Sequence, residues 1–297
     1  MPEGEVLEKP PARGTPTPQV KVPERQFVRF SRLQRILHIC MIVSFMSLAL
    51  TGLTLKFSYT KWAAVLSHLL GGFENAGYIH RSAAVVMFGV FVAHLVDLYK
   101  LKKREHGSWY ALILGPGSMM MNRRDLTEFV GTLKWFVGWG ERPAYGRWTY
   151  WEKFDYFAVF WGIAVIGFTG LTLWFPVFFT RFLPGSFLNI ATIIHSDEAL
   201  LATGFIFTVH FFNTHLRPEK FPMDITVFTG RMQLEELKRD KPREYEALIA
   251  SGQLEENMGE AYQPIVTRTI RAFAWAALAV GFMIVLWIIY AMLFAYR

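Results

Sequence analysis

The chain has little cysteine and little charge. Of 297 residues one is cysteine, Cys40, and Asp, Glu, Lys and Arg together make up only 19%. One thiol forms no intramolecular disulfide, holds no iron–sulfur cluster and provides no covalent c-type haem attachment. Any redox centre must rest on other ligands. The shortage of charge excludes an ordinary soluble domain, because 53% of the residues are hydrophobic and 16% aromatic.

Five stretches reach the roughly 20 residues that a helix needs to cross a bilayer. They are 36–55, 79–99, 154–176, 194–215 and 269–294. The first follows Arg35, too deep in the chain and too poorly flanked for a cleaved signal peptide. Residues 1–35 carry 7 Lys and Arg, 100–153 carry 10 and 216–271 carry 9, which leaves 5 of the 31 for the opposite side. This asymmetry predicts a multi-pass protein of the bacterial cytoplasmic (inner) membrane, with its N-terminus in the cytoplasm and its C-terminus outside. The net charge of +7 is thus a topology signal. No basic patch interleaves with exposed aromatics, so nucleic acid is not an expected partner.

Residues 1–26 hold the proline-rich "KPPARGTPTPQVKVPE" and read as a disordered cytoplasmic tail. Residues 27–217 hold the first four spans, and 268–297 the fifth. Between the second and third spans "LGPGSMMMN" breaks the chain. The following "RRDLTEFVGTLKWFVGW" predicts a short helix on the membrane surface, with Trp135 and Trp139 suited to the interface. Residues 218–267 form a cytoplasmic segment of helical spacing and mixed charge, read as a solvated face rather than a docking surface.

What the chain does have is a repeat built around histidine. "IHRSAAVVMFGVFVAHL" (79–95) and "IHSDEALLATGFIFTVHF" (194–211) each place a histidine near either end of an apolar helix. His80, Ala84, Gly89 and His94 match His195, Ala199, Gly204 and His210. The preceding spans end "TGLTLKF" (51–57) and "TGLTLWF" (169–175), so each repeat is a two-helix unit of like orientation. The expected architecture is an all-α, four-helix haem-binding bundle of two tandem repeats, plus a fifth transmembrane helix.

Ionisable side chains within a membrane are costly and point to function. At about 100° per residue, both histidines of each helix can face one neighbour, about 21 Å apart along the axis. Two such helices offer stacked pairs of imidazoles for two b haems: His80 with His195 in the outer half, and His94 with His210 in the inner half. Zinc is disfavoured because the four ligands do not converge. Gly89 and Gly204 leave room for a macrocycle edge or allow close backbone approach. Ser82, Thr203 and Thr208 are candidate partners for imidazole N–H groups or propionates.

His38 and His215, at the cytoplasmic ends of the first and fourth spans, leave three readings open. His38 replaces His94 as the partner of His210; His38 and His215 bind a third haem; or both line a quinone site. Asn213 is a further candidate cofactor contact. Asp97, one turn after His94, suits a salt bridge with Lys100 or a proton relay. Asp197 and Glu198 suit proton acceptance from a quinol or a solvated loop end. His68 and His106 read as loop residues.

"FSRLQRILHICMIVSFMSLALTGLTLKF", "EKFDYFAVFWGIAVIGFTGLTLWF" and "FPMDITVFTGRMQLEELKRDKPREYEAL" carry a resemblance. They resemble the gamma (cytochrome b) subunit of membrane-bound formate dehydrogenases, whose superfamily includes the b subunits of nickel–iron hydrogenases and thiosulfate reductases. The resemblance covers roughly 27–250 and implies a di-haem quinone oxidoreductase subunit. It implies an inner haem on His38 and His210, an outer haem on His80 and His195, and a quinone site on the cytoplasmic side. His94 and the fifth span depart from that scheme. The repeat alone favours His94 with His210, keeping His38 with His215 as a candidate third pair.

The expected function is electron transfer between menaquinone or ubiquinone and a periplasmic or outer-face redox subunit, through two or three b haems. That subunit would be an iron–sulfur protein, a dehydrogenase or a multihaem cytochrome. The alternatives are a quinone-independent transmembrane electron conduit and a non-redox membrane anchor or transporter.

Overall fold

In the computed structural model, residues 25–115, 117–262 and 264–295 are described. The tail expected over 1–26 falls outside them except at Arg25 and Gln26. These two residues open a strand, β1 (Arg25–Val28), rather than closing a tail.

The first span is α1 (Arg32–Lys56), begun by a capping box in which Ser31 accepts from the Gln34 backbone and the Gln34 side chain accepts in return. A short α2 (Lys61–Leu69) leads to α3 (Phe73–Leu101), the second span. His68 therefore lies in a helix rather than a loop. His106 ends a π-wound turn that continues α3 over Lys102–His106. After it come α4 (Trp109–Leu114) and α5 (Arg123–Phe136), then the third span, α6 (Tyr150–Trp174), capped by Thr149 and Glu152. A short α7 (Pro176–Phe179) precedes α8 (Phe187–Phe205). The fourth span continues beyond α8 as two π-wound turns, Ile206–His210 and Phe212–Leu216. Five helices among the described residues are long and apolar enough to cross a membrane, including Ile265–Phe294 at the end. The protein is a multi-pass membrane protein.

Packing within the bilayer follows membrane rules. α1 lies along α3, α6 along α8, and α1 also meets α8. Small hydroxyl residues fill the interfaces: Ser44, Thr51, Thr54, Thr169, Thr172 and Thr203 are buried. Each donates its hydroxyl to the carbonyl four residues earlier, so none of these six hydroxyls is orphaned in hydrocarbon. Large apolar side chains such as Val43, Trp161 and Leu201 point outwards.

The segment at 218–267 is more than a solvated helix face. It forms α9 (Thr226–Thr229), β2 (Arg231–Met232), α10 (Leu234–Asp240), α11 (Pro242–Ala250) and β3 (Met258–Glu260), followed by the fifth span, α12 (Pro264–Tyr290). β1 runs antiparallel between β2 and β3, pairing Phe27 with both Met232 and Met258. Phe27, Met232 and Leu237 form a small core. The all-α expectation is corrected by this three-stranded sheet. Its signal is weak in sequence because the strands are two to four residues long and their pairing spans about 200 positions.

Buried ion pairs lock this module to the cytoplasmic end of α6. Arg29 bonds Glu244 at 2.8 Å and lies 3.7 Å from Glu152; Lys241 reaches Glu152 at 2.5 Å. Burial pushes the Lys241 ammonium down to about 8, against the pull of Glu152, so the pair stays ionic at neutral pH.

α5 docks by its polar side. Asp125 pairs with Lys153 of α6 at 3.0 Å, Glu128 with Arg243, and the Thr132 hydroxyl lies 2.7 Å from Tyr145. Its apolar stripe, Leu126, Phe129, Val130, Leu133, Phe136 and Val137, stays exposed, at the level where Phe129 meets Tyr150 at the start of α6. Such a stripe suits the headgroup–acyl boundary. In a Cys40→Ser background, a nitroxide on Val130→Cys should be accessible to oxygen and shielded from a water-soluble relaxant. The same label on Glu141→Cys should show the reverse. A water-exposed Val130 label would remove α5 from the membrane.

Candidate functional site

Each TGLTL motif seats one histidine. His80 on α3 lies against α1: its Nδ1 is 2.9 Å from Thr51 Oγ1 and also bonds the Leu48 carbonyl. His195 on α8 lies against α6: its Nδ1 is 2.9 Å from the Ile166 carbonyl and 3.4 Å from Thr169 Oγ1. A carbonyl only accepts, so both rings carry their proton on Nδ1 and present a lone pair on Nε2. Leu48 and Ile166, Thr51 and Thr169, and Gly52 and Gly170 are each 118 residues apart, the offset of the repeat. Sequence reasoning saw the motif but missed its task. The signal was the motif's recurrence 118 residues on, close to the 115 and 116 residues that separate the paired histidines.

The glycine of the motif makes space for the ring. A Cβ on Gly170 would stand 2.9 Å from His195 Cε1, and one on Gly52 would stand 3.4 Å from His80 Cε1. The partners expected for these rings are engaged elsewhere. Thr203 and Thr208 donate to Ala199 and Gly204 carbonyls of their own helix. None of the described hydrogen bonds joins Ser82 to an imidazole.

The two seated rings meet across the bundle with centroids 6.1 Å apart, inclined at 73°. Two imidazoles on one iron would have centroids about 6 Å apart, taking about 2 Å for each metal–nitrogen bond and about 1 Å from each nitrogen to its ring centre. On the outer flank Lys56 joins Asp197 at 2.8 Å and Ser196 at 3.0 Å; Asp197 is solvated, as expected, but lies within α8 rather than at a loop end. Among the described residues no three His, Cys, Asp or Glu side chains converge on a metal-ion site. The donor set suits a metal that brings its own equatorial ligands. Gly89 and Gly204 face open space rather than a close backbone, since a Cβ on either would meet nothing within 4 Å.

The inner half is arranged differently from the expected His94–His210 pair. His94 turns to α6, where its Nε2 is 2.8 Å from Tyr156 Oη and its ring packs against Phe160. That is a hydrogen bond; two ligand atoms of one iron would stand about 4 Å apart. The imidazole neighbours of His210 are His38 and His215, both near enough to feel its charge. His210 Nδ1 is 2.9 Å from Asp155 Oδ2, while the buried His38 Nδ1 has no partner. His215 is buried, its Nδ1 2.9 Å from the Pro222 carbonyl and its ring against Phe211. Asn213 donates to the Val209 carbonyl and, with Asp155 and Arg217, lines a polar cavity of ≈ 80 Å³ on the cytoplasmic side. Asp97 interacts with His94, and none of the described ion pairs joins it to Lys100.

These pairings obey the repeat in a way that sequence offsets alone did not disclose. His38 corresponds to Tyr156, and His210 to His94. His38 beside His210 joins α1 to the fourth span; Tyr156 beside His94 joins α6 to α3. They are one pair of positions seen from the two repeats. Only the outer pair, His80 and His195, matches like with like. The angular argument for His94 with His210 assumed α-helical winding, whereas Ile206–His210 is π-wound and turns less per residue.

Replacing Gly52 by alanine should be neutral or slightly stabilising, because alanine favours a helix by about 1 kcal/mol. Gly170→Ala should cost about 1–3 kcal/mol through overpacking against His195. Denaturant unfolding in detergent separates them, and equal effects would contradict the seating geometry. Comparison of the chain with protein-family models and with curated proteins gives no match.

Proposed function

We infer that the protein is a membrane cytochrome b subunit, carrying electrons between a quinone pool and a redox partner on the outer face. The observation that carries this reading is the pair His80 and His195. His195 is held in the Nδ1–H form by the Ile166 carbonyl and His80 by the Thr51 hydroxyl, whose own proton goes to the Ser47 carbonyl, and the two ring centroids stand at the separation of axial ligands. Metal-bound histidines characteristically donate their other N–H to a carbonyl or carboxylate.

In this reading His80 and His195 hold the outer b haem. His38 and His210 hold the inner one, as the resemblance to formate dehydrogenase gamma subunits implies and as the nearness of the two rings supports. The bound haems would supply reversible one-electron transfer between the two membrane halves. The chain's own residues do the positioning. Leu48, Thr51, Ile166 and Thr169 fix ring orientation and tautomer; Gly52 and Gly170 let the rings lie against the helices; the open sides of Gly89 and Gly204 leave room beside them. Asp155 gives His210 a carboxylate partner where the outer ligands have carbonyls. The basic loops set the N-terminus and the sheet module in the bacterial cytoplasm and the C-terminus outside. The outer partner is then a periplasmic dehydrogenase, iron–sulfur or multihaem subunit, and the lipid partner is the inner membrane.

Haem content tests the reading. The purified protein should contain two b haems. His80→Ala and His195→Ala should remove the same one, and His38→Ala and His210→Ala the other. His94→Ala should keep both. Loss of different haems from His80→Ala and His195→Ala would break the cross-bundle pairing, and absence of haem would leave a non-redox anchor. A second expectation concerns tuning. A carboxylate partner makes an imidazole a stronger donor and favours oxidised iron, so Asp155→Asn should raise the inner midpoint potential and leave the outer one unchanged. A shift of tens of millivolts is expected, since a one-electron couple moves about 59 mV per tenfold change in relative affinity. Redox titration of the two haems measures it.

A further inference from the structure

The repeat gives the bundle two equivalent seams, and they are not treated alike. Between α1 and the fourth span the backbones pack together and α12 covers the join. Gly281 meets Phe207 and Phe211 so closely that a Cβ would lie 2.3 Å from Phe211, and Ile284 and Ala291 are buried beside Leu53. The seam between α3 and α6 has no such cover among the described residues, and its backbones do not pack closely. Side chains bridge it as a ladder. Phe88 rests against Gly167, where a Cβ would stand 2.9 Å from the ring; Phe91 meets Phe160 at 5.0 Å; and the last rung is His94 with Tyr156. Val92, Leu95, Phe157 and Trp161 border the ladder and are exposed to the bilayer.

Among the described hydrogen bonds the Tyr156 hydroxyl and the His94 imidazole bond only each other, an expensive choice for a seam in hydrocarbon, where an apolar rung would serve packing as well. The corresponding positions in the other seam, His38 and His210, carry the inner ligands in the reading above. The geometry points to His94 and Tyr156 as the headgroup site of a lipid-soluble quinone, reached sideways from the bilayer. The proposal rests on the quinone-linked reading and names its contact residues. A quinone carbonyl oxygen accepts from both the Tyr156 hydroxyl and the His94 Nε2–H, exchanging one hydrogen bond for two. The face of Phe160 supports the ring. The residues form a mostly apolar site with two convergent donors, the usual composition of a small-molecule site. Access from the lipid suits a ligand that never enters water.

The test is menadione binding to the haem-loaded protein in detergent, measured by equilibrium dialysis. Tyr156→Phe and His94→Phe should each weaken binding by about tenfold, the loss expected when one hydrogen bond of about 1.4 kcal/mol is removed. Haem content should stay at the wild-type value. Wild-type affinity in both variants with haem intact would overturn the site and leave the cytochrome reading standing. Loss of a haem from either variant would make these residues ligands and also overturn it. A wild-type protein without haem would remove both inferences together.

Discussion

Everything in the bundle depends on how an imidazole is kept inside hydrocarbon. A bare ring there leaves an N–H and a lone pair unsatisfied, each costing several kcal/mol. The chain answers with a helical carbonyl already used by its own helix, which still has a second lone pair to offer. Leu48 and Ile166 supply it, a threonine beside each adds a hydroxyl, and a glycine lets the ring approach. One demand remains open on each ring, the Nε2 lone pair, and the two rings meet with centroids 6.1 Å apart. The recurrence of TGLTL ahead of each histidine, 29 residues from Thr51 to His80 and 26 from Thr169 to His195, is the sequence form of this constraint.

The inner half obeys the same economy with different partners. Asp155 satisfies His210, Pro222 satisfies His215, and Tyr156 satisfies His94. Among the described histidines, His38 retains a buried nitrogen without a partner. Breaking the like-with-like symmetry lets two equivalent seams do different work. One is closed by α12 and pairs two imidazoles. The other is left to the lipid with a tyrosine in place of the imidazole. The ion pairs around Arg29, Glu152 and Glu244 tie the sheet module to the start of α6.

Much of this was legible in the sequence. The five spans, the two-helix repeat and the helix at α5 follow from hydrophobic runs and spacing. His80 with His195 followed from matched depth. The inner partners did not, because π winding in "IFTVHFFNTHL" leaves no compositional mark and shifts every later angle. The role of Thr51, Gly52, Thr169 and Gly170 was hidden for another reason: threonine and glycine at a helix end also read as ordinary membrane packing. The sheet escaped because its strands are too short to show alternation and pair Arg25–Val28 with residues near 231 and 258.

The central claim is that facing histidines at two depths hold two haems. Pyridine haemochrome quantitation of the purified wild-type chain, with its reduced-minus-oxidised spectrum, tests it most directly. The account expects two b haems per chain, both low-spin. One haem or none would contradict the paired-site architecture, and three would return His94 or His215 to the iron.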